Sequence, residues 1–501
     1  MEPSGAPSRR LHGCTVDSSV FGEPMWSPRR LIAMTALPAA PRPAAADTSV
    51  GASPHSVALL TDQYELTMLQ AALRSGTAHR RTVFEVFARR LPDGRRYGVV
   101  AGTGRLLDAL GEFRFGTAEL DSLSDRGIVD DPTLDWLRGY RFSGDIWGYG
   151  EGECYFPGSP LLVVEASFAE AVLLETLVLS ILNHDSAIAA AASRMTNAAG
   201  QRPCIEMGSR RTHEEAAVAA ARAAYIAGFA TTSNLEAGRR YGLPTAGTSA
   251  HAFTLLHDTE REAITAQIES QGVGTTVLVD TFDVDTAVRL AVEAAGPELG
   301  AIRLDSGDLL AQAHHVRALL DELGAPKTRI VVTSDLDEYQ IAALAAGPVD
   351  GYGVGTSLVT GSGAPTAGMV YKLVARAGSA EDDAPMVSVA KRSSAKTTVG
   401  GRKWALRRRT AAGVAEAEVL GVEAPPTDDG DDRALLVPLV SGGHIVGRET
   451  LATARARHVA SLAELPPEAR QLSRGEPAIP TVYERPAPPN QRNQANQPNQ
   501  E

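Results

Sequence analysis

The spacing of apolar positions changes several times along this chain, and the changes divide it. Over residues 59–75 apolar side chains recur at helical intervals, with Thr61 placed as an N-cap. Over 82–87, Thr-Val-Phe-Glu-Val-Phe alternates as a half-buried strand does. Residues 141–165 read as β-structure with turns at Gly150, Gly152, Pro157 and Pro160. One long apolar helix follows, Phe168 to Met195, with a break expected near Asn183. From about 203 the pattern becomes an alternation of short apolar strands with helices. The strand candidates are 203–207, 227–230, 243–246, 275–280, 301–304, 329–333, 349–354 and 369–374. Helical patterns between them include Glu214–Ile226, Val284–Ala295, Leu309–Leu323 and Glu338–Ala346.

Alternating strand and helix imply a parallel sheet, because each crossover returns the chain to the same edge direction. These units suit a closed β/α barrel, some of them too short for a regular one. The rival is an open doubly wound sheet, but no G-x-G-x-x-G follows the first strand. Residues 375–386 and 425–432 are linker-like, and strand-like pieces recur at Trp404–Arg409 and Ala434–Leu439. The expected fold is α/β, an irregular β/α (TIM-like) barrel plus an α+β domain built from N-terminal and C-terminal segments. The expected divisions are a disordered extension over 1–55, an N-terminal α+β domain over 56–165, the barrel over 166–375, a C-terminal segment over 376–485 packing on the N-terminal domain, and a disordered tail over 486–501.

Composition narrows the partners. The 501 residues carry 48 Lys+Arg against 60 Asp+Glu, a net charge of −12. That balance argues against general nucleic-acid binding, which needs clustered cations. No apolar run approaches the roughly 20 residues of a membrane span, so no membrane association is expected. Arg29-Arg30 followed by Leu31–Leu37 has the outline of a signal peptide core, but it is short, starts late and is interrupted by Pro38. A start at Met34 is an alternative. Three widely spaced cysteines, Cys14, Cys154 and Cys204, with no CxxC, suit a reducing compartment and a cytoplasmic protein, and offer neither a disulfide framework nor a thiolate zinc site.

The candidate chemistry lies in position. Most strand candidates run into a polar or glycine-rich cluster: Gly208-Ser-Arg210-Arg211, Thr231-Thr-Ser233-Asn234, Gly247-Thr248-Ser249-Ala250-His251, Asp305-Ser306-Gly307-Asp308, Ser334-Asp335 and Gly355-Thr356-Ser357. In a parallel barrel these ends share one mouth. Gly353-Val-Gly355-Thr356 offers backbone N–H groups and a hydroxyl to a phosphate, or is simply a tight strand-to-helix turn. Arg210 and Arg211 supply fixed positive charge for a carboxylate or diphosphate. Arg303 with Asp305 and Asp308 suits sugar hydroxyls and Mg²⁺, or forms a plain buried ion pair. His251 can act as base, donor or nucleophile toward phosphorus, or can be structural. His184 and His213 follow no strand and read as structural. No zinc spacing, Walker A or kinase glycine loop is present.

Through these residues the chain resembles the nicotinate phosphoribosyltransferase family of type II phosphoribosyltransferases. The matching stretches are Thr61-Asp-Gln-Tyr64-Glu-Leu-Thr-Met68, Phe84-Glu-Val-Phe-Ala-Arg89, Gly247-Thr-Ser-Ala-His251, Ile302-Arg-Leu-Asp-Ser-Gly-Asp308, Asp350-Gly-Tyr-Gly-Val-Gly-Thr356 and Val370-Tyr-Lys-Leu373. The resemblance implies ATP-dependent joining of nicotinate to 5-phosphoribosyl 1-diphosphate, giving nicotinate mononucleotide and diphosphate, the first step of NAD salvage from nicotinate. By the same resemblance His251 would be a transient phosphohistidine. Tyr64, Thr248, Arg303 and Arg210 would meet nicotinate, Tyr64 from the neighbouring subunit of a homodimer. Arg211, Ser334, Gly353, Gly355 and Thr356 would meet the phosphoribosyl donor, with Asp305 and Asp308 catalytic near its ribose and Mg²⁺. Arg89, Arg210 and Arg211 are candidates for the departing charge.

The chain departs from the family at two places. Ser334-Asp335 replaces a paired Asn, and Gly400-Gly401 replaces the Pro-Gly that follows the Lys-x-Ser-x-x-Lys stretch, here Lys391 to Lys396. Three rivals remain. Quinolinate phosphoribosyltransferase is shorter and needs extra cations. Nicotinamide phosphoribosyltransferase favours an acidic contact where Arg303 and Thr248 stand. A non-catalytic phosphosugar-binding barrel would have no use for His251 and both aspartates.

Overall fold

A computed structural model describes residues 56–381, 383–391 and 399–485. The expectations for the extension over 1–55, with Cys14, Leu31–Leu37 and the Met34 start, for Ser393 and Lys396, and for the tail over 486–501 lie outside the described residues.

Three sheets of three or more strands carry the fold. A seven-stranded antiparallel sheet runs in the order Met386–Ser388, Met369–Ala377, Arg81–Ala88, Leu162–Ser167, Asp145–Tyr149, Leu436–Ser441 and His444–Ile445. A six-stranded parallel sheet runs Thr231–Thr232, Cys204–Glu206, Gly351–Val354, Arg329–Val332, Ala301–Leu304 and Thr276–Leu278. A four-stranded sheet joins Arg433–Ala434, Lys403–Arg409, Ala415–Val422 and Thr481–Glu484. No helix among the described residues is long and apolar enough to cross a membrane. Cys154 and Cys204 are buried and unpaired.

The α/β class and the parallel sheet follow the apolar pattern, and three of the strand expectations need correction. Met369–Ala377 does not join the parallel sheet but pairs antiparallel with Arg81–Ala88. Residues 227–230 form a turn after the helix Glu214–Ile226, with Gly228 at φ 111°, and the strand begins later, at Thr231. Residues 243–246 contribute a single bridge, Thr245 to Thr232. Among the described residues no ladder joins the two edge strands, so the parallel sheet is a half-barrel in its hydrogen bonding.

The helices also shift at their ends. Asp62, not Thr61, holds the N-cap position of the helix Gln63–Ser75 without a side-chain capping bond, and the Thr61 hydroxyl goes to the Glu65 carboxylate. The long apolar helix breaks at Leu173–Leu174, giving Phe168–Val172 and Glu175–Ala199. Asn183 sits inside the second piece because its amide is used elsewhere: Oδ1 accepts from Met369 N at 2.8 Å, and Nδ2 donates to Met369 O at 3.3 Å. A mid-helix Asn is tolerated where a neighbouring strand takes its polar atoms. This helix packs Ile181 and Leu182 into the core behind the antiparallel sheet, and Ile188 and Met195 into the core behind the parallel one. It fixes the parallel sheet from behind.

Candidate active site

Strand alternation aims Arg303. Ile302 and Leu304 are fully buried in the core, so Arg303 between them points to the opposite face, where its side chain is 13% exposed. Its guanidinium is held on three sides. Nε donates to Thr333 Oγ1 at 3.0 Å, and Nη1 donates to Thr248 Oγ1 at 3.1 Å and Ser249 O at 3.2 Å. Nη2 faces Asp305 Oδ1 at 3.1 Å. A planar fork held this way is already oriented for a planar carboxylate.

Register brings the remaining groups alongside. Val332 pairs with Leu304, so Thr333 falls beside Asp305, and its hydroxyl bonds Asp305 Oδ1. Leu278 pairs with Arg303, so Asp280 falls beside the same turn. Asp280 Oδ2 accepts from Asp305 N at 3.1 Å and from Ser306 Oγ at 2.6 Å, while its Oδ1 is buried with no partner. His251 opens the short helix His251–Leu256. Its Nδ1 lies 3.1 Å from Thr281 Oγ1 and its Nε2 lies 3.9 Å from Asp305 Oδ2. Burial pushes the Asp305 carboxyl up, but the Thr333 hydroxyl, the Arg303 charge and nearby His251 outweigh it and hold it below the usual carboxylate range.

A second arc of the same strand ends lies next to the first. Val354 pairs with Glu206, and Met207 N donates to Val354 O at 2.8 Å, so the loops after those strands are neighbours. Glycine is required at this approach. A Cβ on Gly353 would lie 2.5 Å from Thr333 Cγ2 and 2.8 Å from Met207 Sδ, and one on Gly208 would lie 2.2 Å from Val359 Cγ1. Gly355 precedes the four-residue helix Thr356–Val359. Ser334 holds φ at 131°, a conformation that costs a side-chain-bearing residue energy and persists where its surroundings impose it. Beneath these loops Glu206 is buried. Burial raises its pKa, although Thr232 and Gly208 N donate to it. Arg210 and Arg211 are exposed, and among the described residues neither side chain has a hydrogen-bond or ion-pair partner.

The structure thus brings His251, Thr248, Arg303 and Asp305 into one cluster. Ser334, Gly355, Arg210 and Arg211 lie on loops at the same strand ends, with Gly353 in the strand Gly351–Val354 and Thr356 opening the helix Thr356–Val359. Asp308 is exposed and caps the helix Leu309–Glu322, its Oδ1 accepting from Ala311 N at 3.1 Å. Tyr64 is not part of the cluster within one chain. It is 43% exposed, and burial together with nearby Glu175 raises its hydroxyl pKa. Arg89 lines a separate cavity with Arg95 and Arg474. Sequence reasoning missed Asp280, Thr281, Thr333 and Glu206. Asp280 and Thr333 stood as the last residues of strand candidates, and the positional rule that singled out the residues after each strand would have found them had it reached one residue back.

The donor set suits a hard divalent cation such as Mg²⁺. Asp280 keeps an unpartnered buried oxygen beside Asp305, and both are carboxylates.

Residues 59–183 match the model of the nicotinate phosphoribosyltransferase N-terminal domain. A nicotinate phosphoribosyltransferase of Mycobacterium tuberculosis, pncB1, is 61% identical over 432 residues, 84% of this chain and 94% of its own length. The Bacillus subtilis nicotinate phosphoribosyltransferase is 38% identical over 364 residues, 70% of this chain and 73% of its own. The crystal structure of human nicotinic acid phosphoribosyltransferase superposes with a TM-score of 0.71 at 27% identity, covering 85% of this chain and 97% of the human one.

Proposed function

The chain belongs to the nicotinate phosphoribosyltransferase family and carries its activity in NAD salvage, and we propose that it couples this activity to ATP through His251. Its substrates are nicotinate and 5-phosphoribosyl 1-diphosphate. In the reaction the bond from the ribose anomeric carbon to diphosphate breaks, and the pyridine nitrogen forms the new bond to that carbon. No proton moves, so positioning and charge stabilisation carry the catalysis.

The observation that carries the residue assignment is the Arg303 guanidinium, fixed by Thr333, Thr248 and Asp305 at the strand ends beside His251. In this reading Arg303 and Thr248 receive the nicotinate carboxylate, with Arg210 facing the ring. Ser334, Gly353, Gly355 and Thr356 take the 5-phosphate. Arg211 meets the diphosphate, and Asp305 and Asp308 lie against the ribose. Asp280 and Asp305 would hold Mg²⁺, which supplies charge neutralisation for the leaving diphosphate when bound. The half-barrel would act as the irregular barrel of the family, with the 166–375 segment as its catalytic domain.

The His251 side chain is 42% exposed and its Nε2 lies 3.9 Å from Asp305 Oδ2, so the ring is accessible to a γ-phosphate. Transfer breaks the γ-phosphorus–oxygen bond of ATP, releases ADP and forms a phosphorus–nitrogen bond on the ring. The added negative charge beside Arg303 and Asp305 would shift the site's affinity for the donor. A homodimer is part of the same reading. Leu60, Tyr64 and Met68 are exposed side chains before and within the helix Gln63–Ser75, 62%, 43% and 36% exposed. A second copy covering them would bring Tyr64 toward a partner's ring site. The assignment is to a cytoplasmic enzyme.

A product assay tests the coupling. Nicotinate mononucleotide should form from nicotinate and not from nicotinamide. ATP should raise the yield with the wild type and leave His251→Ala unaffected. ATP stimulation that survives His251→Ala would overturn the phosphohistidine, and product from nicotinamide would overturn the substrate.

A further inference from the structure

Far along the chain from these strand ends, the loop between the strands Ala415–Val422 and Arg433–Ala434 reads Asp428-Asp429-Gly430-Asp431-Asp432. One carboxylate oxygen from each of Asp428, Asp429 and Asp432 lies within 4.8 Å of the other two. Three carboxylates on one loop, with no fixed octahedral frame, suit Ca²⁺, which takes about six to eight oxygens in flexible geometry, better than Mg²⁺, which demands a near-ideal octahedron.

An acidic loop alone would mean little, since solvated aspartates are common. The discriminating group is Asp432. Its side chain is 0% exposed, Oδ2 faces Arg408 Nη2 at 3.1 Å, and Oδ1 is buried with no hydrogen-bond partner among the described residues. A buried carboxylate oxygen left unpaired is costly. The loop backbone is meanwhile tied down by two arginines of the strand Lys403–Arg409. Arg408 donates to Thr427 O at 2.9 Å, and Arg409 donates to Asp431 O at 2.8 Å. Asp429, Asp432 and Glu484 lie 3.5, 3.1 and 3.7 Å from Arg408, so three carboxylates share one guanidinium there. The excess negative charge and the orphaned oxygen call for the same thing, a cation held by oxygen.

We propose that Asp428, Asp429 and Asp432 form a Ca²⁺ site that clamps the 423–432 loop onto the four-stranded sheet. The donors are all hard oxygens, with no imidazole or thiolate to favour a transition metal. Asp432 supplies the buried anchor, and Asp428 and Asp429 supply the exposed ligands. Two exposed ligands place the affinity in the weak class, about 10⁻⁴–10⁻³ M. Nothing in the phosphoribosyl transfer uses this loop.

The full-length protein, stripped by chelator and kept in several millimolar Mg²⁺, is titrated with CaCl₂ by calorimetry and followed in thermal unfolding. The expected result is one saturable Ca²⁺ with a dissociation constant of about 0.1–1 mM and a Tm raised by about 2–4 °C at 10 mM Ca²⁺. Asp428→Asn combined with Asp429→Asn should abolish both signals and keep nicotinate mononucleotide formation. Should the double variant fold poorly, Asp428→Asn alone should weaken binding at least about fivefold. No saturable Ca²⁺ binding by the wild type, or Ca²⁺ binding unchanged in these variants, overturns the proposal.

Discussion

Two charged clusters in this molecule use the same residue types and end in opposite states. In the first, Arg407 is 0% exposed beneath the four-stranded sheet. It pairs with Glu418 at 3.0 Å and donates to Cys154 O at 2.8 Å. Glu418 also accepts from Tyr149 Oη at 2.7 Å, and Glu153 accepts from Arg433 at 2.9 Å. Arg407, Glu418 and Glu153 are turned inward, with Arg433 at the edge 31% exposed, and among the described residues Arg407 Nε and Nη1 have no hydrogen-bond partner. In the second, Arg303, Asp305 and His251 are 13%, 29% and 42% exposed, and the carboxylate and imidazole keep faces open to solvent. In the first cluster the carboxylates are taken up by protein donors. The second is ordered by its own hydrogen bonds and still offers donors to a guest. An arginine–carboxylate pair therefore signals function only when its geometry is fixed and its surface is left open.

Breaking the closed cluster should have the largest effect. Arg407→Leu leaves Glu418 in the interior without its charge partner, a loss of about 3–5 kcal/mol in stability. Denaturant unfolding measures it, and the folded fraction should keep the wild-type kcat. A loss under about 1 kcal/mol would mean the network is solvated in a way the comparison denies.

Acid acts on the same region through His458, which is buried beside Glu153 with Nδ1 bonded to Gly152 O. Burial lowers its pKa to about 4, against an ordinary 6.5. The unfolded chain therefore takes the proton first. The stability this group contributes is whole above about pH 6.5 and is lost as pH falls through about 4, on the order of 3 kcal/mol. His458→Asn keeps a donor for Gly152 O and should flatten the acid limb of a pH–stability profile. An unchanged limb would assign the acid sensitivity to the carboxylates.

The open cluster should respond in activity and hardly in stability. Arg303→Lys keeps the charge and loses the fork, so kcat/KM for nicotinate should fall about 100-fold, roughly 2.7 kcal/mol, with Tm shifted by a degree or two. A large fall in Tm with kcat/KM preserved would make Arg303 a structural arginine like Arg407 and dissolve the contrast.

Sequence pattern reached some of this directly. The helices Glu214–Ile226 and Val284–Ala295 and the strand Ala301–Leu304 lie where apolar spacing placed them, since each buries one face and spacing encodes a face. His251, Arg303 and Asp305 were legible because short motifs carry them. Asp280 and Thr333 were not, because their importance comes from register, which sets Thr333 against Asp305 and Asp280 against the following turn. The strand Met369–Ala377 was legible as a strand and not as part of the antiparallel sheet, since its apolar pattern states that it pairs but not with what.

The amino-acid sequence by itself determined many of the helices and strands, the motifs at the strand ends and the family they belong to. These are local properties, written in spacing and in short runs of residue types. The tertiary structure alone decided which arginine is sealed and which is open, which strands share a sheet, and that the orphaned oxygens of Asp280 and Asp432 face where they do. Burial and register arise from segments hundreds of residues apart meeting in space, and no local pattern along the chain records that meeting.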